Sequence, residues 1–336
     1  MKTDLWFFTN RQTGSEILQP QFFTPRSQFG LYCETDDITF PFSVTMTAYK
    51  KEEKKFEETV TVKDKGQESD CYNLIIRENT FLMEYWADKV YRLPDRLCVH
   101  IKMADKEHTV EKLCEYATIS GKITDFSGKS FPASIQFYRY GFGYPYRMGV
   151  WSDREGNYSV TVPKGLYNAI YVDDESYRKS TLENWSWHIY ADRDEKYDFK
   201  VGTGEIYSLT PWFSNGGMPV MFLYFRPMIL GDKKEYTQEI NGREYTVIDI
   251  APQLEPKDIK VTVNSKELQV ISLQTFYETC DGTAMPACVL QVEKPRYSDE
   301  KQRVTVEYNA VSDGCTATSQ GRCDFYFRDG FAASIK

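Results

Sequence analysis

Histidine is scarce: His100, His108 and His188 are the three in 336 residues, and they lie far apart in the chain. Histidine is the usual general base and metal ligand near neutral pH, so a site built on it would need long-range assembly here. The sequence has no glycine-rich phosphate loop, no G-x-S-x-G nucleophile elbow and no H-E-x-x-H metal motif, which removes the commonest routes to nucleotide, acyl-transfer and zinc chemistry. No apolar run approaches the roughly 20 residues of a membrane-spanning helix. A basic excess is missing too: 41 Lys and Arg face 49 Asp and Glu, for a net charge of −8. That balance argues against nucleic acid and against an anionic membrane surface as partners. The start, Met1-Lys2-Thr3-Asp4-Leu5-Trp6, lacks the apolar stretch and small-residue cleavage site of a signal peptide. The expectation is a cytoplasmic protein, or a secreted one if a leader has been removed. Nothing in the sequence calls for a cofactor or a metal.

The eight cysteines are Cys33, Cys71, Cys98, Cys114, Cys280, Cys288, Cys315 and Cys323. None forms a C-x-x-C pair, and without a secretory signal reduced thiols are expected. The shared spacing of Cys280 with Cys288 and of Cys315 with Cys323 leaves two local hairpin bridges as the alternative.

What is abundant is period-two alternation. Phe42 to Ala48 places apolar residues on one face of an extended chain, and Glu58 to Val62, Cys71 to Ile76 and Leu97 to Met103 add further strands. Lys50-Lys51-Glu52-Glu53-Lys54-Lys55 reads as a solvated hairpin tip. Tyr245 to Ile250, Ile259 to Asn264, Val289 to Val292 and Val304 to Tyr308 repeat the pattern, and Asn264-Ser265-Lys266 reads as a tight turn. Met221 to Pro227 is a long, mostly apolar run, expected as a strand buried on both faces. No helix longer than about ten residues is evident. The fold class is therefore all-β, as three tandem β-sandwich domains. Residues 1–116 and 232–336 read as immunoglobulin-like sandwiches around a central segment, 117–231.

That central segment carries the most specific pattern. It contains Ile119-Ser120-Gly121-Lys122-Ile123-Thr124-Asp125, then Asp153-Arg154-Glu155-Gly156-Asn157-Tyr158, then Val162-Pro163-Lys164-Gly165-Leu166-Tyr167. In spacing these resemble the opening strand, the D-x-x-G-x-Y hairpin and the P-x-G-x-Y strand pair of the carboxypeptidase regulatory-like domain. The resemblance implies a transthyretin-like β-sandwich over a quarter to a third of the chain. It implies no reaction: the carboxypeptidase domain that usually accompanies it is missing, and so is the His and Arg set of the transthyretin-like purine hydrolase.

Aromatic residues are concentrated in the same region, with 23 of the 51 Phe, Tyr and Trp residues between Phe131 and Arg226. In Phe137 to Arg147, Gly141, Gly143 and Pro145 break any regular strand, so the segment reads as a loop or a long hairpin. Flat rings beside charged and amide groups suit stacking on sugars, or a protein interface rich in Tyr, Trp and Arg. The candidate ligand surface is Tyr140, Tyr144, Tyr146 and Trp151, with Trp185 and Trp187, flanked by Arg139 and Arg147. Packing of the same rings into a core is the competing expectation. Two acidic turns, Asp173-Asp174-Glu175 and Asp192-Arg193-Asp194-Glu195, have the oxygen ligands calcium uses, but such residues are ordinary in hairpin turns. The function that fits is a non-catalytic accessory protein binding carbohydrate or another hydroxylated ligand. The alternatives are a scaffold subunit with a protein partner, and a carbohydrate-active enzyme built on paired carboxylates such as Glu183 with Asp192 or Asp194.

Overall fold

A computed structural model describes residues 1–9, 27–87, 89–104, 106–138, 148–174, 176–214, 218–231, 233–312, 314–328 and 331–333. It is an all-β protein of tandem sandwiches; its one helical element is a single 3-10 turn, Pro256–Asp258, among the described residues. The chain divides into two compact units, 1–120 with 159–165 and 191–196, and 121–158 with 166–190 and 197–336.

The first unit is built on β1 (Lys2–Thr9), β2 (Ser27–Glu34), β3 (Phe42–Lys50), β4 (Glu53–Val62), β5 (Tyr72–Arg77), β6 (Thr80–Trp86), β7 (Arg96–Met103) and β8 (Lys106–Leu113). They form two antiparallel four-stranded sheets, ordered β1-β2-β6-β5 and β4-β3-β7-β8. Alternation decides the inward faces: Leu5, Phe7, Phe29, Leu31, Phe81 and Met83 of one sheet meet Val44, Met46, Phe56, Leu97, Val99 and Ile101 of the other. Each such side chain contributes about 1.5–3 kcal/mol through burial. Phe29 stacks on Phe56 between the sheets, with ring centroids 6.1 Å apart. The charged run 50–55 is the β3–β4 hairpin tip. Lys51 and Glu52 both adopt positive φ, 51° and 59°, as the two-residue turn that matches strand twist requires. On β2, the Trp6 indole lies so close over Gly30 that a Cβ there would sit 1.8 Å from the ring.

Two strands start in one unit and end in the other: β9 (Tyr116–Asp125) and, after β10 (Ser134–Tyr138) and β11 (Met148–Trp151), β12 (Asn157–Pro163). The D-x-x-G-x-Y stretch makes the turn expected of it. Asp153 Oδ1 accepts from the Asn157 amide at 2.7 Å, and the Gly156 amide donates to the Asp153 carbonyl at 3.0 Å. Gly156 has φ of 78° and no room for a Cβ, which would meet the Ile123 carbonyl oxygen at 2.3 Å. Then follow β13 (Gly165–Asp173), β14 (Asn184–Ala191), β15 (Glu195–Lys196) and β16 (Phe199–Val201); β15 and β16 both pair in parallel with β9.

The rest of the second unit comprises β17 (Gly204–Phe213), β18 (Val220–Ile229), β19 (Lys234–Ile240), β20 (Arg243–Asp249), β21 (Ile259–Val263), β22 (Lys266–Leu268), β23 (Val270–Cys280), β24 (Thr283–Glu293), β25 (Gln302–Ser312), β26 (Cys315–Arg328) and β27 (Phe331–Ala333). One sheet runs β11-β10-β13-β14-β26-β25-β21-β22, with β27 on β26; the other runs β17-β18-β24-β20-β19, with β23 on β24. Between them lie Ile206, Leu209, Met221, Leu223, Phe225, Leu290 and Val292 against Val261, Val263, Val304, Val306, Tyr308 and Phe325. Tyr308 ties the sheets together, its buried hydroxyl donating to the carbonyls of Glu205 (3.1 Å) and Met228 (2.5 Å). Strands from both sides of residue 231 share both sheets, through β14 with β26 and β18 with β24. The three-segment division with its boundary at 231 stays a proposal from sequence pattern.

One strand differs from its expectation. Met221, Leu223 and Phe225 of β18 are buried, but Phe222, Tyr224 and Arg226 are only half-buried. The run is continuous in hydropathy because large aromatics occupy the outer face of a sheet whose other face is core. None of the eight cysteines is paired with another; Cys33, Cys288 and Cys323 are buried. Burial pushes the Cys33 thiol up to about 12 and the Cys288 thiol up to about 11, so both behave as small apolar side chains. Among the described residues no helix is long and apolar enough to cross a membrane.

Candidate functional site

Of the aromatic surface expected from sequence, Arg139, Tyr140, Tyr144, Tyr146 and Arg147 lie outside the described residues. Trp151, Trp185 and Trp187 are described, and the fold brings them to one sheet. Trp151 on β11 stands opposite Ser134, which stands opposite Asp173 on β13, so the three share a face. Gln136 and Tyr171, paired one step along, share it as well. A polar row lines it: the Ser134 hydroxyl donates to Asp173, and Gln136 Nε2 donates to Ser134 Oγ (3.1 Å) and Asp173 Oδ1 (3.3 Å).

Trp185 and Trp187 are two apart on β14 and stack on each other, with centroids 4.9 Å apart and planes 11° from parallel. Trp185 also stacks on Tyr171 at 4.7 Å, and the Tyr207 ring meets both indoles edge-on at 5.3 and 4.9 Å. With two parallel rings against it, Trp185 has little π-face left for a ligand, and Trp187 packs against the sandwich core. Here the rings pack on one another. His188 has a positive φ of 51°, which breaks the strand's strict alternation beside the pair; burial lowers its pKa, favouring the neutral ring.

The acidic turns are occupied internally. Asp174 Oδ1 accepts from the Ser176 amide (3.0 Å), the Ser176 hydroxyl (2.6 Å) and the Thr181 hydroxyl (3.1 Å). Asp194 Oδ1 accepts from the Thr118 amide at 2.7 Å. Among the described residues no group of three His, Cys, Asp or Glu side chains is placed to hold a metal ion.

An open aromatic face lies instead on the other sheet of the same unit. The register of β17, β18, β24 and β23 aligns Trp212, Phe222, Gln291 and Ser272 in one row. It aligns Thr210, Tyr224, Val289 and Gln274 in the next. Because these residues alternate with the core positions of their strands, all of them point away from the core. Trp212 is 37% exposed and Phe276, on the same face of β23, is 41% exposed. Trp212 and Phe222 lie nearly parallel, 18° apart with centroids separated by 5.4 Å; Tyr224 and Phe276 neighbour each other at 6.2 Å.

Polar groups are interleaved with these rings and held in place. The Tyr224 hydroxyl donates to Glu278 Oε2 (2.9 Å), and Arg226 Nε lies 3.2 Å from the same oxygen. Burial, followed by the Glu278 charge and hydrogen bond, pushes the Tyr224 hydroxyl up to about 12, so it remains a donor at neutral pH. The Arg226 guanidinium sits 4.8 Å over the Tyr207 ring. Ser272 donates to Gln291 Oε1 at 3.3 Å. Rings, amides, a guanidinium and a carboxylate thus share one solvent-facing surface.

No family model and no curated protein matches this sequence. Among solved structures, the chain is similar to the major pilin subunit of Bacillus cereus, at 11% identity over 62% of this chain and 68% of that one, with a TM-score of 0.21. It is also similar to the TIE protein of Bacillus anthracis, at 10% identity over 97% of this chain and 73% of that one, with a TM-score of 0.19. At those TM-scores neither likeness carries an argument about function.

The sequence signal for the open face was present in three places. Trp212 follows Thr210 at period two, Phe222, Tyr224 and Arg226 alternate with aliphatic residues, and Gln274 with Gln291 interrupts two apolar strands. What sequence does not contain is the register that places these strands side by side.

Proposed function

We propose that this protein is a non-catalytic binding module for carbohydrate or another hydroxylated ligand. The observation that carries the proposal is the open face of β17, β18, β24 and β23. Sugar rings present axial C–H groups and a rim of hydroxyls. The face offers Trp212, Phe222, Tyr224 and Phe276 to the first, and Gln274, Gln291, Arg226 and Glu278 to the second. Aromatic side chains lose little conformational entropy on binding, which suits them to such a surface. The central segment keeps its carboxypeptidase regulatory-like reading as part of the proposal, supported by the Asp153–Asn157 turn and the tightly packed Gly156.

The test is a glycan array probed with the wild type, followed by Trp212→Ala and Gln291→Ala. Trp212 is 37% exposed, so its truncation leaves the core intact. Both variants are expected to keep the wild-type melting temperature within a few degrees and to lose binding at least tenfold. A wild type that binds no glycan, or variants that bind as it does, would overturn the proposal. Trp185→Ala serves as the contrasting variant: its ring is packed among neighbours, and its loss is expected to lower the melting temperature.

A further inference from the structure

A separate cavity of about 530 Å³ opens in the second unit where β17 meets β18. That volume lies in the range of small-molecule sites. Its wall is largely apolar, with Leu182, Met228, Ile229, Leu230, Ile248 and Ile250. Its charged members are Arg178, Lys233 and Glu205. Glu205 is 3% exposed and stands opposite Met228 in the β17–β18 ladder. Arg178 is fixed at the rim by the Asp174 turn: its φ is 62°, its amide donates to the Thr181 carbonyl at 2.9 Å, and its guanidinium lies 5.3 Å from the Tyr177 ring centre. Lys233 is mostly exposed and pairs with Glu235 at 2.6 Å.

We propose that this cavity binds an amphipathic monocarboxylate, with its hydrocarbon body against Leu182, Met228, Ile229, Ile248 and Ile250 and its carboxylate between Arg178 and the Glu205 carboxyl group. The apolar wall excludes a polyhydroxylated ligand, whose hydroxyls would be left without partners there. The Arg178 guanidinium at the rim disfavours an ammonium head. Glu205 does not repel the ligand, because its carboxyl is pushed up to about 8, first by burial and then by the Glu183 charge. The charges of Arg178 and Arg226 oppose that rise. The other titratable groups facing it are Tyr177, beside it at the cavity wall, and Tyr308, which donates to its backbone carbonyl. Trp185 Nε1 holds the neighbouring Glu183, donating to Oε2 at 2.9 Å. Below pH 8 the neutral Glu205 carboxyl donates its O–H to the incoming carboxylate. Above pH 8 it ionises and two like charges share the site, so binding weakens.

The proposal is independent of the sugar-binding face and is tested on the intact chain with decanoate by titration calorimetry. Decanol and decylammonium are the neutral and cationic controls. At pH 6.5 decanoate is expected to bind one to one, decanol at least tenfold more weakly, and decylammonium not at all. Arg178→Ala is expected to weaken decanoate at least tenfold and leave decanol unchanged. Raising the pH from 7 to 9 should weaken decanoate about tenfold in the wild type, and Glu205→Gln should flatten that profile while still binding at pH 6.5. Absent saturable binding, equal affinity for decanol, or a flat wild-type profile would each overturn the proposal. Melting curves accompany both variants. Should Glu205→Gln not fold, Arg178→Ala at the surface and the wild-type profile still decide the matter.

Discussion

Asp324 shows how one buried charge is made tolerable in a β-sandwich. Its side chain is fully buried, and its oxygens accept from Arg303 Nε (2.6 Å), Arg303 Nη2 (3.0 Å) and the Tyr190 amide (3.2 Å). Lys301 Nζ lies 3.9 Å away and donates to the Tyr190 carbonyl at 2.8 Å. The Arg303 guanidinium in turn sits 4.1 Å over the Tyr197 ring, which Arg322 also approaches at 4.7 Å. Two planar cations against one ring, with one carboxylate gripped in two-pronged fashion, form a network in which each member fixes the next. Removing the negative charge leaves Arg303 and Lys301 desolvated and uncompensated. Asp324→Asn is therefore expected to cost about 3–5 kcal/mol of unfolding free energy, read from a urea denaturation curve. A loss below about 1 kcal/mol would mean that the network is solvated in solution. No sequence pattern announces it, since Arg303 and Asp324 are ordinary strand residues, and Lys301 an ordinary residue just before β25, until β25 and β26 pair.

At the scale of elements, the hairpins are the part of the fold that local chemistry determines. Asn264 and Ser265 join β21 to β22 with φ values of 47° and 69°, the left-handed pair of a two-residue turn. Asn264 is anchored, its Oδ1 accepting from the Arg303 amide at 2.9 Å and its Nδ2 donating to Gln302 Oε1 at 3.0 Å. Among the described residues nothing anchors Ser265 in this way, and a side chain in the left-handed region costs roughly 1–2 kcal/mol. Glycine is free of that cost but gives up more entropy on folding, by roughly 0.5–1 kcal/mol. Ser265→Gly is therefore expected to stabilise the second unit by about 0.5–1 kcal/mol, measured by thermal denaturation; a destabilised variant would show that Ser265 has a role outside the turn. Turns of this kind, at 51–52 and 264–265, and the Asp153–Asn157 turn are legible in sequence because their determinants lie within a few residues. The alternation of β3 and β7 is legible for the same reason. The solvent face of β18 is not, because hydropathy cannot distinguish an aromatic packed in a core from one laid on an open sheet. Nor is the pairing of β14 with β26, whose partners Trp187 and Cys323 are far apart in sequence. Trp185 and Trp187 are legible as sharing a face, but the Tyr171 and Tyr207 rings that occupy that face come from other strands.

For the molecule as a whole, each unit carries a deeply buried glutamate among its described residues, and both make stability fall as the pH rises. Glu84 on β6 is 4% exposed and accepts from Gln28 Nε2 at 2.6 Å. Burial pushes its carboxyl up to about 8 against the hydrogen bonds from Asn73 and Gln28, and Glu205 in the second unit is likewise raised to about 8. The ordinary value is 4.5. Below it, both folded and unfolded chains hold these protons, and the glutamates contribute no slope. Between 4.5 and about 8 the folded chain holds two protons that the unfolded chain has released, so unfolding is favoured progressively as the pH rises. Above about 8 both states are ionised and the loss is complete. Glu107 and Asp125 run the other way. Their carboxyls are lowered by the Lys102 and Ser127 hydrogen bonds respectively, so their contribution disappears only as the pH falls through their folded values, and both are exposed enough for it to be small. The expected result is a melting temperature that falls from pH 5 to pH 8 in the first unit; in the second, the buried neutral His188 acts in the opposite sense below the ordinary histidine value of 6.5, so the fall is expected chiefly above it. Glu84→Gln keeps the amide partners and cannot ionise, so it should flatten the response of the first unit alone; Glu205→Gln should do the same for the second. Calorimetric scans at pH 5, 6.5 and 8 separate these contributions. A wild type whose transitions rise across that range would show that these carboxyls are solvated and ionised in the folded protein, and the neutral Glu205 on which carboxylate binding depends would be lost with them.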